Sequence, residues 1–125
     1  MKLNFEKAGG LVPAIIQDYL TGKVLMLGFM NEEAVKKTLE KGVVHFFSRT
    51  RGKLWMKGET SGHVLEVKEV YVDCDEDTLL IKVNPKGPVC HKGYMSCFYR
   101  KLEGNELKVV EEKLYNPEEV YGKKA

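Results

Sequence analysis

The chain has 125 residues, 43% of them hydrophobic and 30% charged, with 20 basic against 18 acidic side chains for a net charge of +2. That length suits one domain around a single core and is too short for two ordinary ones. The near balance of charge excludes a polyanion-binding surface spread over the whole molecule, so any phosphate recognition must be local.

The opening MKLNFEKAGG lacks the apolar core of a signal peptide, and no apolar run approaches a membrane span, which predicts a cytoplasmic protein. LVPAIIQDY and KVLMLGFM read as two strands joined through Leu20, Thr21 and Gly22, a hairpin turn in which glycine supplies positive φ. Asn31 is an N-cap for the helix NEEAVKKTLEK, with Glu32 and Glu33 in its positively polarised first turn. Ala34, Val35, Thr38 and Leu39 give that helix an apolar stripe, and Gly42 stops it.

VVHFFSR and KLWMKGE then pair around Gly52 as a second hairpin, with Trp55 a core candidate. HVLEVKEVYVD alternates apolar and polar residues as a long half-buried strand, and TLLIKV follows the acidic stretch. Residues 85–93 are loop-like, with Pro85, Gly87, Pro88 and Gly93. YMSCFYRKL and ELKVVEEKL flank Gly104 and Asn105 as two more strands, and the polar tail NPEEVYGKK predicts a short helix. The expected fold over residues 1–125 is α+β: predominantly antiparallel β, as a compact sheet or barrel-like, with one main helix.

Three constellations carry chemistry. Cys74, Cys90 and Cys97 lie on separate segments without a C-x₂-C pair. They read either as small buried hydrophobes or as metal ligands. Their neighbours favour ligands, since Cys74 sits among aspartates and Cys90 in the turn GPVCHKG beside His91. An odd number of cysteines in a reducing compartment argues against a disulfide framework. Three thiolates on zinc leave a fourth position open, which is the layout of a catalytic site.

The second is YVDCDED. If the strand runs through it, Asp73, Asp75 and Asp77 share one face and Cys74 points to the other. An EF-hand loop is excluded, because Thr78 and Asn84 stand where its glycine and glutamate are needed. The choice is then between a solvated acidic turn and a carboxylate site for Mg²⁺.

The third, SRTRGKLWMKGETSGH over 48–63, gathers basic residues, hydroxyls and glycines. Such a mixture suits phosphate groups through charge and freed backbone N–H groups, or is simply a hairpin with charged faces.

Taken together, SRTRGKLWMKGETSGH, VDCDEDTLL and GPVCHKGYMSCF, with VLMLGFMNEEA upstream, resemble the phosphoribosyl-AMP cyclohydrolases of histidine biosynthesis, in that family's order over about residues 22–98. The resemblance implies hydrolysis of the N1–C6 bond of the adenine ring of 1-(5-phosphoribosyl)-AMP. It implies zinc on Cys74, Cys90 and Cys97, magnesium on Asp73, Asp75 and Asp77, and a homodimer whose zinc ligands come from both chains. The expected partner is a small nucleotide, with neither nucleic acid nor membrane.

His91, next to a zinc ligand, is the first choice for general acid or base, and His63 the second. His45 reads as structural. Arg49, Arg51, Lys57, Thr60, Ser61 and Gly62 are the phosphate-binding candidates. Phe46 and Phe47 stand where the family pattern has an aromatic pair with tryptophan. Only 28 residues follow Cys97, too few for the pyrophosphohydrolase to which the family is sometimes fused, so a stand-alone form is expected. The alternative is a non-catalytic, zinc-stapled β module that binds nucleotides or RNA through 48–63; the near-neutral charge counts against it.

Overall fold

The structure, a computed structural model, describes residues 2–119. After a 3₁₀ turn at Glu6–Ala8, strands β1 (Val12–Asp18) and β2 (Val24–Met30) form an antiparallel hairpin. Val12, Ala14 and Ile16 alternate inward along β1, so one face of this strand is core.

Helix α1 (Glu32–Lys41) starts where the Asn31 side chain accepts the Ala34 N–H at 2.8 Å. It stops at Gly42, whose φ of 76° lets its N–H turn back to the Thr38 carbonyl. Ala34, Val35 and Thr38 are buried, whereas Leu39, the last member of the expected stripe, is half exposed.

Strands β3 (His45–Ser48) and β4 (Lys53–Met56) make the second hairpin. It docks on β2 at Gly28, where a Cβ would collide with the Phe46 ring. Trp55 packs on that ring, with centroids 5.3 Å apart.

Strands β5 (Leu65–Val72) and β6 (Leu79–Pro85) are antiparallel, and β6 also lies parallel to β1, with Ala14 opposite Leu79 and Asp18 opposite Val83. The result is one open four-stranded sheet in the order β2-β1-β6-β5. The barrel-like expectation therefore fails, because the edge strands β2 and β5 do not pair with each other. The expected predominance of antiparallel pairing holds, with β1–β6 the one parallel pair among the described residues.

β7 (Arg100–Glu103) and β8 (Glu106–Val109) form a separate hairpin, shorter than expected at both ends. Residues 94–97 are held elsewhere, since the Cys97 N–H donates to the Leu25 carbonyl at 2.7 Å and the buried Ser96 hydroxyl to that of Val24 at 2.8 Å. Of the tail, Pro117–Glu119 is a 3₁₀ turn, and the rest of the expected helix lies outside the described residues.

Ile16, Leu25, Met30, Phe46, Leu65 and Ile81 are among the largest fully buried side chains. Each stabilises the fold by about 1.5–3 kcal/mol relative to exposure. No helix among the described residues is long and apolar enough to cross a membrane.

Candidate active site

The loop after β4 is built by its glycines. Gly58 has φ 89°, and a Cβ there would strike the backbone of His63 and Val64. The Gly62 N–H returns to the Gly58 carbonyl at 2.8 Å, and the Ser61 hydroxyl accepts the His63 N–H at 3.1 Å.

This folded loop and His91 line a cleft of about 330 Å³ that includes Arg51, Lys57, Thr60 and Ser61. Two of the phosphate-binding candidates lie apart from it. Gly62 shapes the loop without lining the cleft, and the Arg49 guanidinium rests over the Phe29 ring at 4.1 Å. A larger groove, of about 880 Å³, runs between the N-terminal segment and α1 and holds none of the expected site residues.

Cys90 is buried in a tight turn. Its N–H reaches the Tyr94 carbonyl, its carbonyl accepts the Gly93 N–H, and its sulfur accepts the Lys92 N–H at 3.4 Å. The Cys97 thiol lies near enough to that of Cys90 for the two to interact. Burial, aided by Cys90, pushes the Cys97 thiol up to about 11, against the opposing pull of Lys57. His91 is exposed at its rim, yet partial burial, with Lys57 and Lys92 adding positive charge, holds its pKa below the usual imidazole value.

His63 lies behind the cleft wall, its Nδ1–H donating to the Pro88 carbonyl at 3.1 Å. Its neighbour there is Tyr115, which composition and spacing gave no reason to single out. An aromatic in a polar tail carries no periodic signal, and its role emerges only when the tail folds back. His45 makes local contacts, its Nδ1 donating to the Val43 carbonyl at 2.9 Å.

The acidic stretch corrects the strand reading. β5 ends at Val72, and residues 73–78 turn the chain into β6. Asp73 closes the turn, its Oδ1 accepting the N–H groups of Asp77 at 3.0 Å and Thr78 at 3.2 Å. Glu76 takes the left-handed region, with φ 61°.

The three aspartates still converge, each offering an oxygen within 4.8 Å of the others, through this turn and not through alternation. Among the described residues they are the one such cluster of ligating side chains. Lys7 reaches in, with its Nζ 3.0 Å from Asp77 and 3.9 Å from Asp75. That contact holds the Asp77 carboxyl below, and the Lys7 ammonium above, the ordinary value. Cys74 is exposed, with its sulfur 3.9 Å from Asp75 Oδ1, so it does not turn its back on the carboxylates.

The three cysteines do not meet within one chain. Cys97 is tied to Leu25, on edge strand β2, at the end of the sheet where Gln17 pairs with Val24. Cys74 follows β5 beyond the opposite end, where Val72 pairs with Leu79. Cys97 and Cys74 thus lie toward diagonal corners of the sheet, separated by three strand spacings, about 14 Å, before strand length is added. One zinc ion, with Zn–S bonds of about 2.3 Å, cannot span them.

A family model described as phosphoribosyl-AMP cyclohydrolase matches residues 26–99, from β2 to the foot of β7, and so covers the cleft, the acidic turn and the Cys90–Cys97 pair. A phosphoribosyl-AMP cyclohydrolase of Solibacter usitatus is 55% identical over 126 residues, covering 100% of both chains. That of Desulforapulum autotrophicum is 54% identical over 123 residues, covering 97% of this chain and 98% of its own. That of Methanothermobacter thermautotrophicus is 55% identical over 125 residues, covering 96% and 91%.

Proposed function

Because the chain belongs to the phosphoribosyl-AMP cyclohydrolase family, and so carries that activity in histidine biosynthesis, we propose that it opens the adenine ring of 1-(5-phosphoribosyl)-AMP by zinc-dependent hydrolysis of the N1–C6 bond. The observation that carries this reading is the convergence on one cleft of Arg51, Lys57, Thr60, Ser61 and His91, the last of these adjoining buried Cys90 and its partly buried neighbour Cys97.

The donor set fits the metals. Adjacent thiols are the soft ligands that select zinc, and Cys74 of a second copy supplies the third. The convergent carboxylates are hard oxygen donors suited to magnesium. Zinc, when bound, supplies a Lewis acid that makes water a competent nucleophile near neutral pH.

His91 handles the proton. With its pKa held down, the imidazole is neutral at pH 7 and can accept a proton from water as oxygen adds to C6. It then returns that proton to N1 as the C6–N1 bond breaks, so one water is consumed and the ring opens. Arg51, Lys57 and the Thr60 and Ser61 hydroxyls hold one substrate phosphate. The aspartates of the turn would hold a magnesium ion, which would supply positive charge for the other phosphate.

Purified protein incubated with phosphoribosyl-AMP is expected to change the ultraviolet absorbance of the base, and a zinc chelator to suppress the change. No change at all overturns the reaction, and full turnover in chelator overturns the zinc requirement.

A further inference from the structure

We infer that Glu59 is the sugar-reading residue of the cleft, accepting a hydrogen bond from a ribose hydroxyl while the groups around it hold the phosphate on that sugar. The inference rests on the cyclohydrolase reading above and assigns its phosphate cleft a specificity for ribose.

Glu59 is the one acidic side chain, among the described residues, lining the cleft that holds Arg51, Lys57, Thr60, Ser61 and His91. The backbone delivers it there. Its N–H donates to the Met56 carbonyl at 3.1 Å, closing one turn, and the Gly62 N–H closes the next on the Gly58 carbonyl at 2.8 Å. Glu59 is the joint between the two. Its Oε1 accepts the Met56 N–H at 3.0 Å, which fixes the carboxylate beside the end of β4. Among the described residues this is the only contact of the carboxylate, and neither Arg51 nor Lys57 takes it as an ion-pair partner. Oε2 is uncommitted.

A cap on the Met56 N–H needs only a neutral acceptor, such as the amide carbonyl of glutamine. The charge serves something else. A phosphate monoester dianion offers only acceptors, so a carboxylate close to it costs like-charge repulsion. Arg51 and Lys57 only donate, and the Ser61 hydroxyl, which accepts the His63 N–H, keeps its own proton to give. The cleft thus presents a set of donors and, within the same loop, one free anionic acceptor.

A ligand that satisfies both carries an anion and, a few bonds away, hydroxyl donors. A ribose 5′-phosphate has that layout, and 1-(5-phosphoribosyl)-AMP carries two of them. A hydroxyl on a carboxylate makes a charge-assisted bond, about twice as strong as a neutral one. A site built around such a bond rejects the sugar that lacks the hydroxyl, because its acceptor is then left unpaired.

The test titrates adenosine 5′-monophosphate, its 2′-deoxy and 3′-deoxy forms, and sulfate into metal-loaded wild type and E59Q. Binding is read from the amide resonances of Thr60, Ser61 and Gly62, which report this loop and not the aspartate turn. In the wild type, at least one deoxy nucleotide is expected to bind at least ~10-fold more weakly than its parent, the effect of one lost charge-assisted hydrogen bond. E59Q keeps an acceptor for the Met56 N–H and is expected to bind all three nucleotides alike. Sulfate, which has no hydroxyl, should bind E59Q more tightly than the wild type, because a like charge is gone. A purely structural Glu59 would change all four ligands together or none, and either result overturns the inference. So does a wild type that binds the three nucleotides equally, or a preference that survives in E59Q.

Should E59Q fail to fold, fluorine at the sensitive position decides in the wild type, since it cannot donate. Affinity as weak as that of the deoxy form supports a carboxylate reader, and affinity equal to the parent overturns it. Turnover of phosphoribosyl-AMP is assayed apart. Ribose preference without ring opening upholds Glu59 and removes the reaction, whereas ring opening without ribose preference removes Glu59 alone.

Discussion

The ring of Tyr115 stands edge-on to that of His63, with centroids 5.4 Å apart and planes at 81°, and its hydroxyl donates to the Cys90 carbonyl at 3.3 Å. One side chain from the end of the described chain thus touches both a candidate histidine and the turn that holds two candidate zinc ligands. Because the Pro88 carbonyl only accepts, the His63 Nδ1 carries a proton. Tyr115→Phe is expected to lower kcat about fivefold through loss of one hydrogen bond worth about 1 kcal/mol, and Tyr115→Ala by more than tenfold, with KM little changed. Steady-state kinetics beside urea unfolding separate this from a loss of fold, and a kcat that tracks stability alone removes the positioning role.

Serine at Cys90 or Cys97 is expected to abolish turnover and lower zinc content together, and an active zinc-poor variant would contradict the catalytic metal. In metal-free protein at pH 8, iodoacetamide should modify exposed Cys74 first and Cys97 last. Burial keeps the Cys97 thiol protonated until the pH nears about 11, and only the thiolate is nucleophilic. Mass spectrometry of the labelled peptides reads the order directly.

His91→Ala should remove the acid limb of the kcat/KM profile. In the wild type that limb is expected below the ordinary imidazole value, since burial and then Lys57 and Lys92 disfavour the cation. Lys57→Met takes away one opposing charge, so the limb should move to higher pH. A limb that stays in place in both variants assigns it to another group.

Lys7 stands in for a cation among the aspartates. Lys7→Met leaves three carboxylates facing one another, and calorimetry is expected to show tighter magnesium binding. Unchanged affinity would place magnesium elsewhere. The wild-type ion pair also has a pH signature. Asp77 has a lowered pKa in the folded chain, so its contribution is present above the ordinary carboxylate value and fades as pH falls through the folded one. Lys7→Met should flatten that dependence in acid titrations of stability.

Helix α1 was legible because its signals are local: a capping asparagine, acidic residues in the first turn, and a glycine at the stop. The first two hairpins were legible for the same reason, through turn residues set between alternating runs. The acidic turn was hidden because YVDCDED continues the alternation of β5, and the break depends on Asp73 capping residues four and five positions on. The β1–β6 pairing and the fastening of Ser96 and Cys97 to β2 join distant segments, and no short-range pattern announces them. Arg49 shows the opposite limit: it sits in the right segment, yet a neighbouring ring claims it.

The parallel pairing of Ala14 with Leu79 sets an order for the chain's assembly. The β1–β2 hairpin can close as soon as residue 30 is made, but its inner edge has nothing to join until β6 emerges some fifty residues later. Loop-closure entropy makes that long-range step slow compared with hairpin formation. Folding should therefore show an early phase in which the hairpins form separately and a late one in which β6 zips them together. The candidate ligand groups at Cys74 and at Cys90 and Cys97 hang from strands united only in that second phase, so the nascent chain exposes loose thiols and carboxylates before it arranges them.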